Sequence, residues 1–288
     1  MQKLLSIGDN VKPGSYRLHS CFKKVANFVC GDDFVSLTDP SICLGPNNIQ
    51  IQDLDLYNID SLEVSKDSVK IKDLVFNFAK EERYHSQFEI NLEKLQNFKK
   101  NVGFLKQYLV QKADKASLVF VFDEKRLLNF KIGFAQNMAK QLKDGIKSLF
   151  NTNLEHGIYK IKGLGFGLTP SGDDFIAGLL LALNIIEKNK DVDLSNLKES
   201  IFSIAKKDEA LSSSFLKLAQ EGKVIDVHKK LILSLYGQDK QELKASIDAC
   251  MDIGNTSGSD ILTGLVYTID NKDKLSCDKD LFALRIEN

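Results

Sequence analysis

Arginine is scarce in this sequence. Only four of the 288 residues are arginines, namely Arg17, Arg83, Arg126 and Arg285. A large clamp for a carboxylate or a phosphate is usually built from several guanidinium groups, because each of them can donate two parallel hydrogen bonds. Four arginines spread along one chain cannot assemble such a clamp, so lysines, backbone amides or a metal ion would have to hold an anionic ligand.

The sequence also lacks an excess of charge of either sign, since 39 basic residues balance 39 acidic ones. A protein that acts on nucleic acid or on an anionic membrane normally carries an excess of basic residues. We therefore expect no nucleic-acid partner and no membrane partner, and favour a small molecule or another protein. The longest apolar run, residues 175–186, is shorter than a bilayer span of about 20 residues and predicts a buried core helix.

Cysteine motifs are absent as well. The five cysteines are an odd number and include no C-x-x-C pair. Residues 1–10 lack the apolar core of a secretory signal. These features predict a reduced protein in the cytoplasm.

Short β-type runs fill the first part of the chain. Residues 25–30 and 34–38 flank a Gly-Asp-Asp turn, which predicts a hairpin. Further short runs lie at 42–44, 49–51 and 69–76. Several short strands separated by turns predict a small sheet or barrel.

From about residue 89 onward, apolar residues recur at steps of three and four, which indicates helices. Helices are predicted at 130–150, 172–188, 195–219, 224–235, 239–251 and 258–269. Residues 116–122 are β-branched and aromatic and fit either a strand or a continuing helix. We therefore predict an α+β protein, with a β-rich domain over residues 1–85 and a mainly α-helical domain over residues 86–288.

A glycine-rich loop, GLGFGLTPSGDD at residues 163–174, is the strongest candidate for a functional site. Alternate glycines let the backbone approach a ligand without interference from a Cβ atom. Thr169 suits the N-cap of a helix and Pro170 its first position. The free amides of the next three residues would then face a small anion at the positive end of the helix. The alternative is a tight loop before a capped, buried helix, with Asp173 and Asp174 as capping groups.

A second segment repeats this signature. Residues 257–265 and 171–179 both read S-G-x-D-x-x-x-G-L. Asp260 matches Asp174, whereas Asp173 has no counterpart. Because positions four apart share a helix face, each matched aspartate lies over a glycine that permits close helix packing. If the two helix starts meet, their aspartates and serines converge on one pocket; the alternative is two independent capped helices.

Two nucleotide-binding motifs are excluded, and a metal site is left open. No lysine follows the loop as in G-x-x-x-x-G-K-[ST], and the loop does not match the dinucleotide fingerprint. Two carboxylates at the helix start would repel an anion bound there. An Mg²⁺ ion held by Asp173 and Asp174 and bridging to a phosphate would remove this conflict. These two aspartates are therefore candidate metal ligands, with Mg²⁺ as the candidate cofactor.

The pattern GLGFGLTPSGDDFIAG, with the later GNTSGSDILTG, resembles a family formerly of unknown function that includes the AllH (YlbF) proteins. Those proteins are linked to the oxamate carbamoyltransferase of anaerobic allantoin degradation, a route of purine catabolism. The resemblance implies that the shared motif positions form the site. These are Asp173, Asp174 and Asp260 as candidate catalytic residues, and Gly165, Gly167, Thr169, Ser171, Gly172, Thr256, Ser257 and Gly258 as candidate substrate-binding residues.

The sequence departs from the family pattern at two positions. Phe166 stands where proline is expected, and Asn255 where histidine is common. The S-x-R-T-R phosphate loop of ordinary transcarbamoylases is also absent from the sequence. The resemblance therefore implies that a carbamoyl group is transferred without this phosphate loop.

The resemblance further implies a complex with an FdrA-like and an AllG-like subunit that exchanges a carbamoyl group between carbamoyl phosphate and oxamate. The leading hypothesis is a carbamoyltransferase subunit whose loop amides and hydroxyls bind a small anionic metabolite. The alternative is a non-catalytic ligand-binding or scaffolding subunit, favoured by the few arginines and the lack of an evident nucleophile or base. A stand-alone metal-dependent hydrolase is a third candidate.

Overall fold

The computed structural model of this chain describes residues 2–165, 169–207 and 210–277. Contacts between Cα atoms divide the chain into two compact units. The first unit includes residues 2–88 and, later in the chain, residues 210–212 and 223–230. The second unit includes the described residues from 89 onward, apart from those two returning segments. A domain boundary after residue 85 stays a prediction, and the sequence did not indicate the returning segments.

The first unit contains one sheet of nine strands. Their bounds are Lys3–Gly8 (β1), Gly14–Cys21 (β2), Val25–Cys30 (β3), Asp33–Thr38 (β4), Asn48–Gln52 (β5), Ser61–Val64 (β6), Ser68–Ile71 (β7), Leu74–Asn77 (β8) and Arg83–Tyr84 (β9). The hydrogen-bonded order is β8-β7-β6-β2-β3-β4-β5-β1-β9. Most neighbours are antiparallel, but β4 with β5 and β1 with β9 are parallel. The hairpin predicted from residues 25–38 is confirmed as the antiparallel pair β3 and β4.

Alternation of apolar and polar residues explains how this sheet buries one face. In β6 and β7 every second residue is buried, namely Leu62, Val64, Val69 and Ile71. Successive side chains of a strand point to opposite faces, so this pattern places four apolar side chains in one core. Residues 42–44, predicted as a strand, are an irregular segment. The Leu44 carbonyl there accepts a hydrogen bond from the Asp226 amide rather than from a strand.

The second unit is mainly helical, so the prediction of an α+β protein is confirmed. The helices of the described chain are Leu95–Lys112 (α1), Phe134–Asn151 (α2), Leu154–Ile161 (α3), Ser171–Lys190 (α4), Ser195–Ala205 (α5), Ala210–Gln220 (α6), Asp226–Leu235 (α7), Lys240–Met251 (α8) and Ser257–Asn271 (α9). Residues 171–186 of α4 are buried throughout, as predicted for a core helix. Within the described residues, every helix is too short or too polar to cross a membrane.

Three local predictions are wrong. The helix predicted at 195–219 is two helices, because α5 ends at Ala205 and Lys206 takes an extended ψ of 151°. The run 116–122 contains a 3₁₀ turn, Leu118–Val121, rather than a strand or an α-helix. Finally, the N-cap of α4 is Pro170 and not Thr169, so the Thr169 hydroxyl is available for other contacts.

Candidate functional site

The two copies of the S-G-x-D signature have the same local structure. In the first, the Gly172 amide donates to the Leu164 carbonyl at 2.8 Å, and Leu164 itself follows the end of α3 by three residues. In the second, the Gly258 amide donates to the Ile253 carbonyl at 3.0 Å, just after α8. The repeat seen in the sequence is therefore a repeated helix–loop–helix unit with a shorter second loop.

Glycine is required at these two positions by close backbone packing. A Cβ atom on Gly172 would lie 1.8 Å from the Ile161 carbonyl oxygen. A Cβ atom on Gly258 would lie 1.8 Å from the Cys250 carbonyl oxygen. Both distances are far below van der Waals contact, so each glycine lets the start of one helix lie directly on the end of the helix before it.

The amides at the start of α4 donate within the chain. Besides the Gly172 bond, the amides of Asp173 and Asp174 donate to the Pro170 carbonyl at 2.9 and 3.1 Å. The expectation that the Gly172 and Asp173 amides are free to face an anion is therefore wrong. The reason is that the loop folds back and supplies carbonyl acceptors for the first turn of the helix.

Helices α4 and α9 pack against each other reciprocally. A Cβ atom on Gly178 would lie 1.9 Å from the Ile261 carbonyl oxygen, and one on Gly264 would lie 2.2 Å from the Phe175 carbonyl oxygen. In the repeat, Gly178 corresponds to Gly264 and Phe175 to Ile261. The two contacts are thus reciprocal, as for helices related by an approximate two-fold axis. The contact between the Thr169 and Ser257 hydroxyls places the two helix starts together, so the helices run in parallel.

A hydroxyl pair joins the two starts. The Thr169 and Ser257 hydroxyl oxygens are 2.5 Å apart, and the Thr169 hydroxyl also donates to Asp174 Oδ2 at 3.1 Å. Burial raises the pKa of Asp174 to about 6, while hydrogen bonds from Ser257 and Thr169 oppose that rise. Asp174 is only 2% exposed, whereas both hydroxyl residues are partly exposed. A ligand at this point would therefore meet the two hydroxyls before the carboxylate.

Asp260 is the matching carboxyl group in α9, and it is fully buried. Its Oδ1 atom accepts a hydrogen bond from the Leu118 amide at 2.6 Å. Burial raises the pKa of Asp260 to about 8, although the Leu118 amide and the Ser171 and Thr256 hydroxyls favour the charged form. Asp260 is therefore mostly neutral at pH 7. Ser171 faces Asp260 as Ser257 faces Asp174, which repeats the approximate two-fold relation.

Asp173 has a different environment from the other two aspartates. Its Oδ1 atom accepts a hydrogen bond from the Gly163 amide at 2.7 Å, and its Oδ2 atom lies 2.6 Å from Lys207 Nζ. This fully buried carboxylate therefore fixes the beginning of the glycine loop and is neutralised by a lysine. The sequence did not indicate Lys207 as a partner of Asp173, because the helix predicted at 195–219 ran through it. The run Lys206-Lys207-Asp208 within that helix was one available signal of a break.

The candidate Mg²⁺ site at Asp173 and Asp174 does not fit the observed contacts. Among the described residues, no three histidine, cysteine, aspartate or glutamate side chains converge as metal ligands would. Both oxygens of Asp173 already contact the Gly163 amide or Lys207, and Asp174 Oδ2 accepts from Thr169. We therefore assign no metal to this pair.

The remaining candidate residues belong to the loop itself. Gly165 has a φ of +146°, and a Cβ atom there would lie 2.2 Å from the Ser171 nitrogen, so only glycine suits the position. Gly167 and Phe166 lie outside the described residues. Asn255, where the family commonly has histidine, is exposed in the second loop, two residues before Ser257.

Residues 161–269 match the family model described as oxamate carbamoyltransferase subunit AllH. The match covers both loops, all of α4 and most of α9, and it confirms the resemblance seen in the two motifs. The family name implies a subunit of an oxamate carbamoyltransferase and therefore protein partners. No curated protein and no solved structure matches the chain.

Proposed function

We propose that this chain is a subunit of a carbamoyltransferase-type enzyme, similar to oxamate carbamoyltransferase, that binds a small anion such as carbamoyl phosphate or oxamate. The observation that carries the proposal is the hydroxyl pair Thr169–Ser257 at the joined starts of α4 and α9. This pair lies within the stretch that matches the AllH family. The proposed partners are FdrA-like and AllG-like subunits, and the proposed location is the cytoplasm.

The electrostatics of the joined helix starts suit an anion. Asp260 is mostly neutral at pH 7 because burial raises its pKa to about 8, and Asp173 is neutralised by Lys207. Within the part of the chain that the structure describes, no lysine pairs with the third carboxylate, Asp174. The positive ends of two parallel helices, 20 and 15 residues long, face the same region and favour negative charge there. The attraction for an anion would therefore come from the helix dipoles rather than from arginines.

The two hydroxyl oxygens are also placed to accept a hydrogen bond from the nitrogen of an amide substrate. With Asp174 ionised above pH 6, the Thr169 hydroxyl donates its proton to that carboxylate. The oxygen lone pairs of Thr169 and Ser257 then remain to accept an N–H of oxamate or of the carbamoyl group. In this proposal Asp174 is a positioning residue that orients the two hydroxyls. Catalytic roles for Asp173, Asp174 and Asp260 stay predictions.

The experiment measures phosphate release by the purified complex of this chain with FdrA-like and AllG-like subunits, supplied with carbamoyl phosphate and oxamate. We expect the Thr169→Val and Asp174→Ala variants to lower kcat by about 100-fold or more, which is typical of a lost substrate-orienting contact. Thr152→Val is the matched control, because Thr152 is exposed outside the site. A complex with Asp174→Ala that keeps the full rate would reject the assignment.

A non-catalytic ligand-binding or scaffolding subunit is the second candidate. It is favoured by the burial of Asp173, Asp174 and Asp260, since a general acid or base must reach its substrate. Calorimetric titration of the isolated chain with carbamoyl phosphate and with oxamate separates the two functions. Binding by the chain, together with unchanged turnover of the complex after Thr169→Val, would favour the second candidate.

A further inference from the structure

The Thr169 hydroxyl has the contacts of an activated nucleophile. It donates to Asp174 Oδ2 at 3.1 Å, and its oxygen lies 2.5 Å from the Ser257 hydroxyl oxygen. A nucleophilic hydroxyl in an enzyme typically has a base within about 2.6 to 3.2 Å, and a third group orients that base. Ser257 also hydrogen-bonds Asp174, so it supplies the third group.

The burial of these three groups suits the same role. Asp174 is only 2% exposed, whereas Thr169 and Ser257 are partly exposed. The carboxylate therefore lies behind the hydroxyls, and it has to reach only the Thr169 proton and not the substrate. Burial raises the pKa of Asp174 to about 6. A base whose pKa lies close to neutral pH is ionised there and still accepts a proton readily.

We propose that Thr169 is the nucleophile of the carbamoyl transfer and carries the carbamoyl group as a covalent ester between the two substrates. This inference rests on the proposed function for the identity of the substrates. In the first step the Thr169 oxygen bonds to the carbamoyl carbon of carbamoyl phosphate. The bond from that carbon to the phosphate oxygen breaks, and its electron pair leaves with the phosphate. The Thr169 proton passes to Asp174, and the departing phosphate takes one proton from water.

The second step returns the protein to its starting state. The oxamate nitrogen bonds to the carbamoyl carbon and releases one proton to water, while the bond from that carbon to the Thr169 oxygen breaks. Asp174 gives its proton back to this oxygen. In both steps negative charge develops on the carbamoyl oxygen, which the positive ends of α4 and α9 stabilise. The Ser257 hydroxyl stabilises the Thr169 oxygen by donating to it whenever Asp174 holds the proton.

The test looks for the carbamoyl group on the protein before oxamate is present. The purified complex of the full-length chain with the FdrA-like and AllG-like subunits is mixed with carbamoyl phosphate alone, quenched in acid, digested and analysed by mass spectrometry. We expect one carbamoyl group on Thr169, which added oxamate removes. Isotopically labelled phosphate should also exchange into carbamoyl phosphate without oxamate, because the first step of a two-step covalent transfer is reversible.

Three variants separate the nucleophile from its base. Thr169→Val should form no ester, whereas Thr169→Ser should form it, since serine supplies a hydroxyl at the same position. The Asp174→Asn side chain still accepts from Thr169 but takes no proton, so ester formation should slow by about 100-fold and remain on Thr169. Carbamoyl phosphate should still bind to this variant in a calorimetric titration.

Thr152 is the matched control residue. Its hydroxyl is also paired with a serine hydroxyl, that of Ser148 at 2.8 Å, but its other hydrogen bond goes to the Ser148 carbonyl. Thr152 should therefore stay unmodified, and Thr152→Val should leave ester formation on Thr169 unchanged. A carbamoyl group on both threonines would mean that the reagent modifies hydroxyl groups without selection and would overturn the proposal.

Each outcome decides the proposal. An ester on Thr169 alone supports it, even if oxamate fails to remove the carbamoyl group, which would reject only the proposed function. Phosphate release that requires oxamate, with neither an ester nor phosphate exchange, overturns the covalent step and leaves the proposed function standing. A complex that neither releases phosphate nor forms an ester overturns both proposals. These wild-type measurements hold even where a variant fails to fold.

Discussion

The hydroxyl oxygens of Thr169 and Ser257 lie 2.5 Å apart, although 88 positions separate the two residues in the sequence. Each hydroxyl belongs to one copy of a repeated helix–loop–helix unit. The contact exists because α4 and α9 pack in parallel, with glycines at equivalent positions touching the backbone of the other helix. The candidate site is therefore a consequence of how two similar helices pack.

The close packing of α4 on α9 predicts a stability loss for Gly178→Ala. The added Cβ atom would lie 1.9 Å from the Ile261 carbonyl oxygen, so the helices must separate. We expect the free energy of unfolding to fall by about 2 to 3 kcal/mol in urea titrations. Gly103→Ala in α1 is the control, because no atom lies within 4 Å of its added Cβ. That control should gain about 0.5 to 1 kcal/mol, and equal behaviour of the two variants would contradict the packing.

The buried carboxyl group of Asp260 predicts a pH dependence of stability. Its pKa is raised to about 8 in the folded chain, so between about pH 4 and pH 8 the unfolded chain is ionised while the folded chain keeps the proton. The free energy of unfolding contributed by this group therefore falls as pH rises through that window.

The variant that checks this is Asp260→Asn, which keeps an acceptor for the Leu118 amide but does not titrate. Urea unfolding at pH 5, 6, 7 and 8 should show the variant gaining stability relative to the wild type as pH rises. A stability difference that stays constant from pH 5 to pH 8 would mean that Asp260 is already ionised in the folded protein.

The Asp173–Lys207 contact predicts a stabilising ion pair at the glycine loop. Lys207→Met would leave the fully buried Asp173 without its lysine partner, and the Lys207 side chain is 36% exposed, so the loss is moderated by solvent. We expect a destabilisation of about 2 kcal/mol, partly recovered by adding Asp173→Asn. Lys206→Met, on the exposed neighbour, should change stability by less than about 0.5 kcal/mol. If the two single variants were equally stable, the ion pair would have no structural role.

Removal of the Ser257 hydroxyl should shift the titration of Asp174. The hydrogen bond from Ser257 lowers the pKa of Asp174, which burial raises to about 6. In Ser257→Ala the pKa should therefore rise further, and the acidic limb of the pH–rate profile of the complex should move to higher pH. Carbon-13 NMR of the labelled aspartate carboxyls measures the same shift independently of activity. An unchanged Asp174 titration would show that Ser257 does not contact this carboxyl group.

Local patterns in the sequence predicted the parts of the fold that depend on neighbouring residues. The alternation in residues 25–38 predicted the hairpin, and the apolar run 175–186 predicted a buried helix. The spacing S-G-x-D-x-x-x-G-L revealed the repeated unit and the glycines that allow close packing. The charged run 206–209 was a weak local signal that the helix predicted at 195–219 breaks after Ala205, but charged residues also occur on the exposed faces of helices.

The sequence by itself determined that two equivalent glycine-flanked helix starts exist and that Asp174 and Asp260 are counterparts. Only the tertiary structure decided what their polar groups contact. The Gly172 and Asp173 amides donate to the Leu164 and Pro170 carbonyls. Asp173 pairs with Lys207, and the Leu118 amide donates to Asp260. Lys207 and Leu118 come from distant parts of the chain, and a buried polar group takes whichever partner the packing brings within about 3 Å.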